Sequence, residues 1–244
     1  MTDHAGTAYE IDRAAGADLD AFLSSLQLAD SFFPSGFYTL SHGLEAFAQA
    51  RCLTSGSLEG LLTCYLRYGV GPADASALAC AHRAACTRDL EIAAQADLRL
   101  TAVKLSREAR EASQRTGRQL LKTAGQIFEG DMLLAYAERE RRDNVPCNHA
   151  VALGLTMAVL GISRVRAVAG ELYAFASSAV GSAVRLAIID HRFAQGVLHG
   201  LKPVIVEVSR AHSESRIQDI GGSTPLIDIM AMRHEQAELR LFMS

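Results

Sequence analysis

D-L-R-L-T-A-V-K-L-S-R-E-A-R-E-A-S-Q-R-T-G-R-Q-L-L-K-T-A-G, residues 97–125, is the stretch whose reading decides the fold. Leu105, Ala109, Ala112 and Leu120 are spaced for one helix face, while Lys104, Arg107, Glu108, Arg110 and Glu111 face water. One long amphipathic helix is expected. The same period recurs on both sides of it.

Upstream, residues 1–17 lack periodicity and are expected to form a mobile arm. Asp18 can cap a helix whose apolar face is Leu19, Phe22, Leu23 and Leu26, ended by Pro34 and Gly36. A short helix is expected from about Leu40, with Leu44, Phe47 and Ala48 inward. Ser57 can cap another, with Leu58, Leu61, Leu62, Tyr65 and Leu66 on one face, stopped by Gly69, Gly71 and Pro72. Asp74 and Asp89 are placed to cap two more.

Downstream, Glu138–Asp143 mixes both charge signs and reads as a solvated helix end or loop. His149–Leu160 is apolar nearly all round, as a buried helix should be. Ser163 caps a helix or helix pair to about Ile189, and another runs from Arg192 through Val208, bent or broken at Pro203. Thr224 caps the last, with Pro225 at its first position and Asp228 in its positive first turn. Val204–Val208 is the one strand candidate, and it is short. The expectation is an all-α chain, a single helical domain of roughly ten helices: an arm (1–17), a body (18–222) and a C-terminal docking helix and tail (223–244).

The charge of −3, from 24 basic and 27 acidic residues, offers no field for nucleic acid or an anionic membrane. Five cysteines without paired spacing and no signal-peptide pattern predict reduced thiols and a cytoplasmic location. Ser177, Ser178, Ser182 and Arg185 dilute the most apolar stretch, Leu172–Ile189, so it reads as core rather than membrane span.

Chemistry-bearing motifs are scarce. There is no phosphate loop, dinucleotide fingerprint or nucleophile elbow, so no cofactor and no catalytic residue is assigned. Cys80, His82 and Cys86 could form a metal site, but on a helix Cys80 points away from the other two, and no metal is assigned. His234-Glu235 begins a zincin motif that fails because residue 238 is Glu; Glu238 is expected to favour a protonated His234 ring. A helical metal-binding protein, or an acid–base enzyme using Asp228, His234 and Glu235, is the alternative. Phe32, Phe33, Phe37 and Tyr38 crowd the Pro34–Glu45 region, where core and interface roles are both open.

Five segments in order resemble the urease accessory protein UreF family. They are Leu26–Glu45 (with P-S-G-F-Y-T-L-S-H-G-L-E), Ser106–Leu121, His149–Gly154 leading to Leu160–Ile162, Leu172–Leu186, and the tail from Pro225 to Ser244. The sequence departs from the family pattern at Ala187–His191, where P-L-G-Q is expected, and at His149-Ala150, where Pro is common. The resemblance implies a non-enzymatic, all-α homodimer. Its partners would be a UreD/UreH-type accessory protein, a UreG-type GTPase and apo-urease, into which the assembly delivers nickel. By the same resemblance Tyr38, Ser41, Gly43, Glu45 and Arg185 bind partners from the body. Met232, Arg233, His234, Glu235, Arg240, Leu241 and Phe242 do so from the tail.

Overall fold

A computed structural model describes residues 4–235, with residues 4–15 and 17 described by backbone alone. The expected all-α class and single helical body hold, with no strand among the described residues. The helices are α1 His4–Ala29, α2 Leu44–Gln49, α3 Ser55–Tyr65, α4 Ser76–Thr87, α5 Leu90–Val103, α6 Arg107–Ile127, α7 Asp131–Asp143, α8 His149–Val159, α9 Arg164–Arg185, α10 His191–His212 and α11 Pro225–His234. Short 3-10 turns occupy Phe37–Thr39 and Ile217–Asp219.

The apolar-all-round helix α8 is the hub, packed by α4, α6 and α9. Glycines set how closely its neighbours approach. A Cβ on Gly154 would lie 2.5 Å from the Leu78 carbonyl oxygen of α4, and one on Gly117 of α6 would lie 2.0 Å from the Cys147 carbonyl oxygen. The entry to α8 is pinned by the buried Asp97 carboxylate, which accepts from Tyr136 OH (2.6 Å), Cys147 N–H (2.7 Å) and Asn148 N–H (2.9 Å). Helix α9 is long and apolar enough for a membrane span by composition, yet most of that window is buried in the helical body.

Six local expectations are corrected. The helix expected from Asp18 begins at His4. Gly69, Gly71 and Pro72 do not stop the third helix. Residues Leu66–Ala75 widen into π turns that run directly into α4 with Pro72 inside. A π turn inserts extra backbone, and the site of that insertion tolerates a proline whose N–H is missing. Asp74 therefore lies within this stretch, and instead of capping it pairs with Lys104 Nζ at 2.8 Å. Ser57 lies inside α3, its Oγ accepting from the N–H of the N-cap Thr54 at 3.0 Å.

The residues 97–125 helix is two helices, broken at Lys104–Ser106. Ser106 Oγ accepts from Ala109 N–H (3.3 Å), and Arg110 Nη1 donates to the Lys104 and Leu105 carbonyls (2.6 and 2.8 Å). These bonds satisfy the backbone groups that an unbroken helix would have paired internally. Leu105, expected inward, is consequently exposed. The last correction concerns α1, which packs on α9 with Ala21 buried and Leu28 against the core, while Leu19, Phe22, Leu23 and Leu26 face outward.

Candidate partner-docking site

The Pro34–Glu45 segment and α11 converge on the open end of the core, where α2 and the start of α6 receive α11. Gly36 and Gly43 both take left-handed backbone, φ +79° and +82°, and Gly43 stands immediately before α2. A left-handed turn at each lets the chain fold back twice within eight residues, which other residues resist. A Cβ on Gly43 would sit 4.0 Å from the Ala231 Cβ of α11, so the two segments are in close contact there.

His234 joins them. Its ring is fully inside, with Nε2 2.9 Å from Glu45 Oε2 of α2 and Nδ1 2.8 Å from Glu108 Oε2 of α6. Each ring nitrogen is thus within hydrogen-bond distance of a carboxylate from a different helix. Glu235 continues the connection by accepting from Ser106 Oγ (3.0 Å) and Glu108 N–H (3.2 Å) at the first turn of α6, where a carboxylate is favoured. The His234–Glu238 pairing expected from sequence falls partly outside the described residues; the carboxylates that meet the ring are Glu45 and Glu108.

The site residues named from sequence separate into two groups. Ser41, Gly43, Glu45 and His234 are buried inside the protomer and hold the surface in place. Met232, Arg233 and Arg185 are exposed on it. Tyr38 lies between them: its hydroxyl donates to the Ala29 carbonyl at the end of α1, its own carbonyl accepts from Arg185 Nη2 (3.1 Å), and burial raises its phenol above the ordinary value. Arg240, Leu241 and Phe242 lie outside the described residues.

Helix α11 has two apolar faces. Ile227, Met230 and His234 point inward, while Leu226, Ile229 and Met232 remain exposed. Arg233 is exposed on the same side, between Leu226 and Ile229 in helix angle.

Behind the junction lies a cavity of about 130 Å³, lined by His42, Lys104, His149, Glu171, Phe175 and Asp228 among others. Phe37 stacks on His149 (centroids 4.3 Å apart), and His42 meets Phe175 edge-on (4.7 Å). Burial depresses both histidines to about 3 and raises Glu171 to about 8. Glu171 Oε2 is 3.8 Å from His149 Nε2 and has no hydrogen-bond partner among the described residues. These groups escaped the sequence reading; the available signal was a single glutamate, Glu171, beside the most apolar stretch of the chain.

The alternatives gain no geometry. Cys80 Sγ donates to the Ser215 carbonyl (3.4 Å) and His82 Nε2 lies 2.7 Å from the Ile162 carbonyl, so the two side chains are engaged with different neighbours. Cys86 lies 3.7 Å from His82 Nδ1, and no cluster of three metal-ligating side chains occurs among the described residues. Of the proposed acid–base groups, Glu235 is taken up by the first turn of α6, and His234 is shut inside.

Residues 53–202, more than half of the chain, match the family model UreF. The chain is 32% identical over 227 residues to the urease accessory protein UreF of Trichodesmium erythraeum, covering 93% of this chain and 98% of that protein. It is 29% identical to the protein of the same name from Bacillus sp. strain TB-90, covering 93% and 100%. It is 27% identical to urease accessory protein UreF 2 of Brucella canis, covering 93% of each. A five-part sequence resemblance, a single all-α body and alignment along almost the whole length of these relatives agree: the chain belongs to the UreF family of urease accessory proteins and is not an enzyme.

Proposed function

We propose that this protein is the bridging scaffold of a urease-maturation assembly. It docks a UreD/UreH-type accessory protein through α11 and the residues after it. It presents the Tyr38 segment to a UreG-type GTPase, whose GTP hydrolysis accompanies nickel insertion into apo-urease. In this reading the protein works as a cytoplasmic homodimer. The observation that supports it best is the two-faced α11, anchored inside by His234 and apolar outside at Leu226, Ile229 and Met232. Burying each such side chain against a partner contributes about 1.5–3 kcal/mol when complete.

The test is co-purification of the tagged protein with its UreD/UreH-type partner. Deleting Arg240–Ser244 is expected to abolish capture while helicity and the unfolding midpoint stay close to those of the full chain. Undiminished capture by the truncated, folded protein refutes the docking role. Tyr38→Ala is expected to leave the binary complex intact and weaken recruitment of the GTPase.

A further inference from the structure

Helix α1 carries its large apolar residues on the wrong side for a core helix. Leu19, Phe22, Leu23 and Leu26 are each 51–58% exposed, and Phe32, just past the helix end, is 92% exposed. At 100° per residue these four helix positions form one stripe about 100° wide, while Ala21 and Leu28, the side chains that meet the body, lie on the opposite side. The helix is therefore held by its small-residue face, and its large-residue face is uncovered among the described residues. Isolated exposed leucines are ordinary on protein surfaces, but five large apolar side chains on one stripe and its end form a patch.

The charges around the stripe say what covers it. Asp18 and Asp20 flank it on either side, and Asp30 stands at its C-terminal end, all three exposed. Arg166 of α9 pairs with Asp18. Residues 16–30 contain no basic residue. A second copy of the chain is thus a poor occupant. Crossing α1 with α1 about a two-fold axis, parallel or antiparallel, sets Asp20 and Asp30 against carboxylates of the other copy, while Arg166 is already held by Asp18. Like-charge juxtaposition of this kind is how surfaces reject a wrong partner.

We infer that the outer face of α1 is a docking surface for a different protein, one offering an apolar groove or helix rimmed by lysine or arginine. Phe22, Leu23 and Leu26 enter the groove, and Asp20 and Asp30 meet its basic rim. Phe32 supplies a rigid aromatic anchor at one end, the kind of side chain that dominates binding energy when it becomes buried. Among the described residues α1 packs on α9, whereas α11 packs on α2 and α6.

The experiment uses the full chain and two fluorescently labelled 18-residue amphipathic peptides. Both carry leucine at helical spacing, one flanked by lysine and the other by glutamate. Anisotropy titration is expected to show at least tenfold tighter binding of the lysine-flanked peptide, with the advantage shrinking as salt rises. Phe22→Ser/Leu23→Ser should remove the binding, and Asp20→Lys/Asp30→Lys should reverse the preference. Both variants change exposed positions only, and circular dichroism checks that they fold. The inference is overturned by failure to bind either peptide, by equal affinity for both, or by binding that survives the serine variant. It is equally overturned if light scattering shows that Phe22→Ser/Leu23→Ser converts a dimer to a monomer, because the face then belongs to a second copy.

Discussion

His234 Nε2 lies 2.9 Å from Glu45 Oε2, joining residues 189 positions apart in sequence, and the same ring reaches Glu108 Oε2 at 2.8 Å. One imidazole thus ties the C-terminal helix to both α2 and α6. Replacing it with alanine takes this partner from the buried Glu45 carboxylate and the half-buried Glu108 carboxylate and leaves a cavity between them. Leaving buried hydrogen-bonding groups without their partner costs about 1–3 kcal/mol, a large share of a domain's total stability. His234→Ala is therefore expected to lower the urea midpoint markedly, and Glu45→Gln in the same chain should recover part of the loss. An unchanged midpoint in His234→Ala would show that α11 is not held by this contact.

Stability should peak near pH 6.5. Burial holds His42 and His149 neutral, at about 3 against about 6.5 for a free imidazole. The unfolded chain therefore binds two more protons between those values, and stability rises with pH across that window. Glu171 runs the other way. Its value of about 8 exceeds the roughly 4.3 of a free glutamate, so the folded state holds the extra proton and stability falls with pH between those limits. Buried Asp97, also raised, acts in the same sense as Glu171. Two protons outweigh the glutamate's one below pH 6.5; above it only the falling limb remains. Urea midpoints from pH 5 to 9 measure this, and Glu171→Gln should flatten the alkaline limb.

Gly117→Ala is expected to be strongly destabilising although the substitution adds a single methyl. The new Cβ would stand 2.0 Å from the Cys147 carbonyl oxygen, a backbone atom fixed by the Asp97 network at the start of α8. Overpacking of this kind costs about 1–3 kcal/mol or more when the neighbour cannot move. Gly196→Ala, whose Cβ meets nothing within 4 Å, serves as the control and should preserve the midpoint or raise it. Equal midpoints for the two variants would contradict the close α6–α8 approach.

Ala187→Gly should stabilise the protein. Ala187 follows α9 with φ +55°, a left-handed conformation that closes the helix through Ala187 N–H to Val184 O (2.9 Å) and Ile188 N–H to Ala183 O (3.0 Å). That conformation costs a residue with a Cβ about 1–2 kcal/mol, partly offset by the greater unfolded-state freedom of glycine. A net gain of roughly 0.5–1 kcal/mol is expected in chemical denaturation. The departure from the family pattern at Ala187–His191 thus falls on a helix C-terminus, where glycine is the favoured choice.

Much of the architecture is legible in single residues. Asp89 caps α5 through the Glu91 N–H (3.0 Å), His149–Val159 is buried along almost all its length, and Pro225 opens α11. Caps, breaks and apolar period act over three or four residues, so the sequence carries them openly. The exceptions are also physical. Lys104–Ser106 breaks a periodic stretch because Arg110, Ser106 and Glu235 together satisfy the backbone there, and Glu235 comes from the far end of the chain. Pro72 fails to end a helix because the backbone widens into π turns around it.

By itself, then, the sequence determined the helical class, several helix starts and the family, each of which rests on short-range spacing or ordered motifs. Only the tertiary structure decided which way two faces turn. The stripe Leu19–Phe22–Leu23–Leu26 is apolar and periodic, yet α1 lies on Ala21 and Leu28 and the stripe meets water. His234 resembled part of a metal motif, or a histidine of surface or core, and the fold encloses it between two carboxylates brought from α2 and α6. A helical period states that a face exists; what that face meets depends on how helices far apart in the chain pack together.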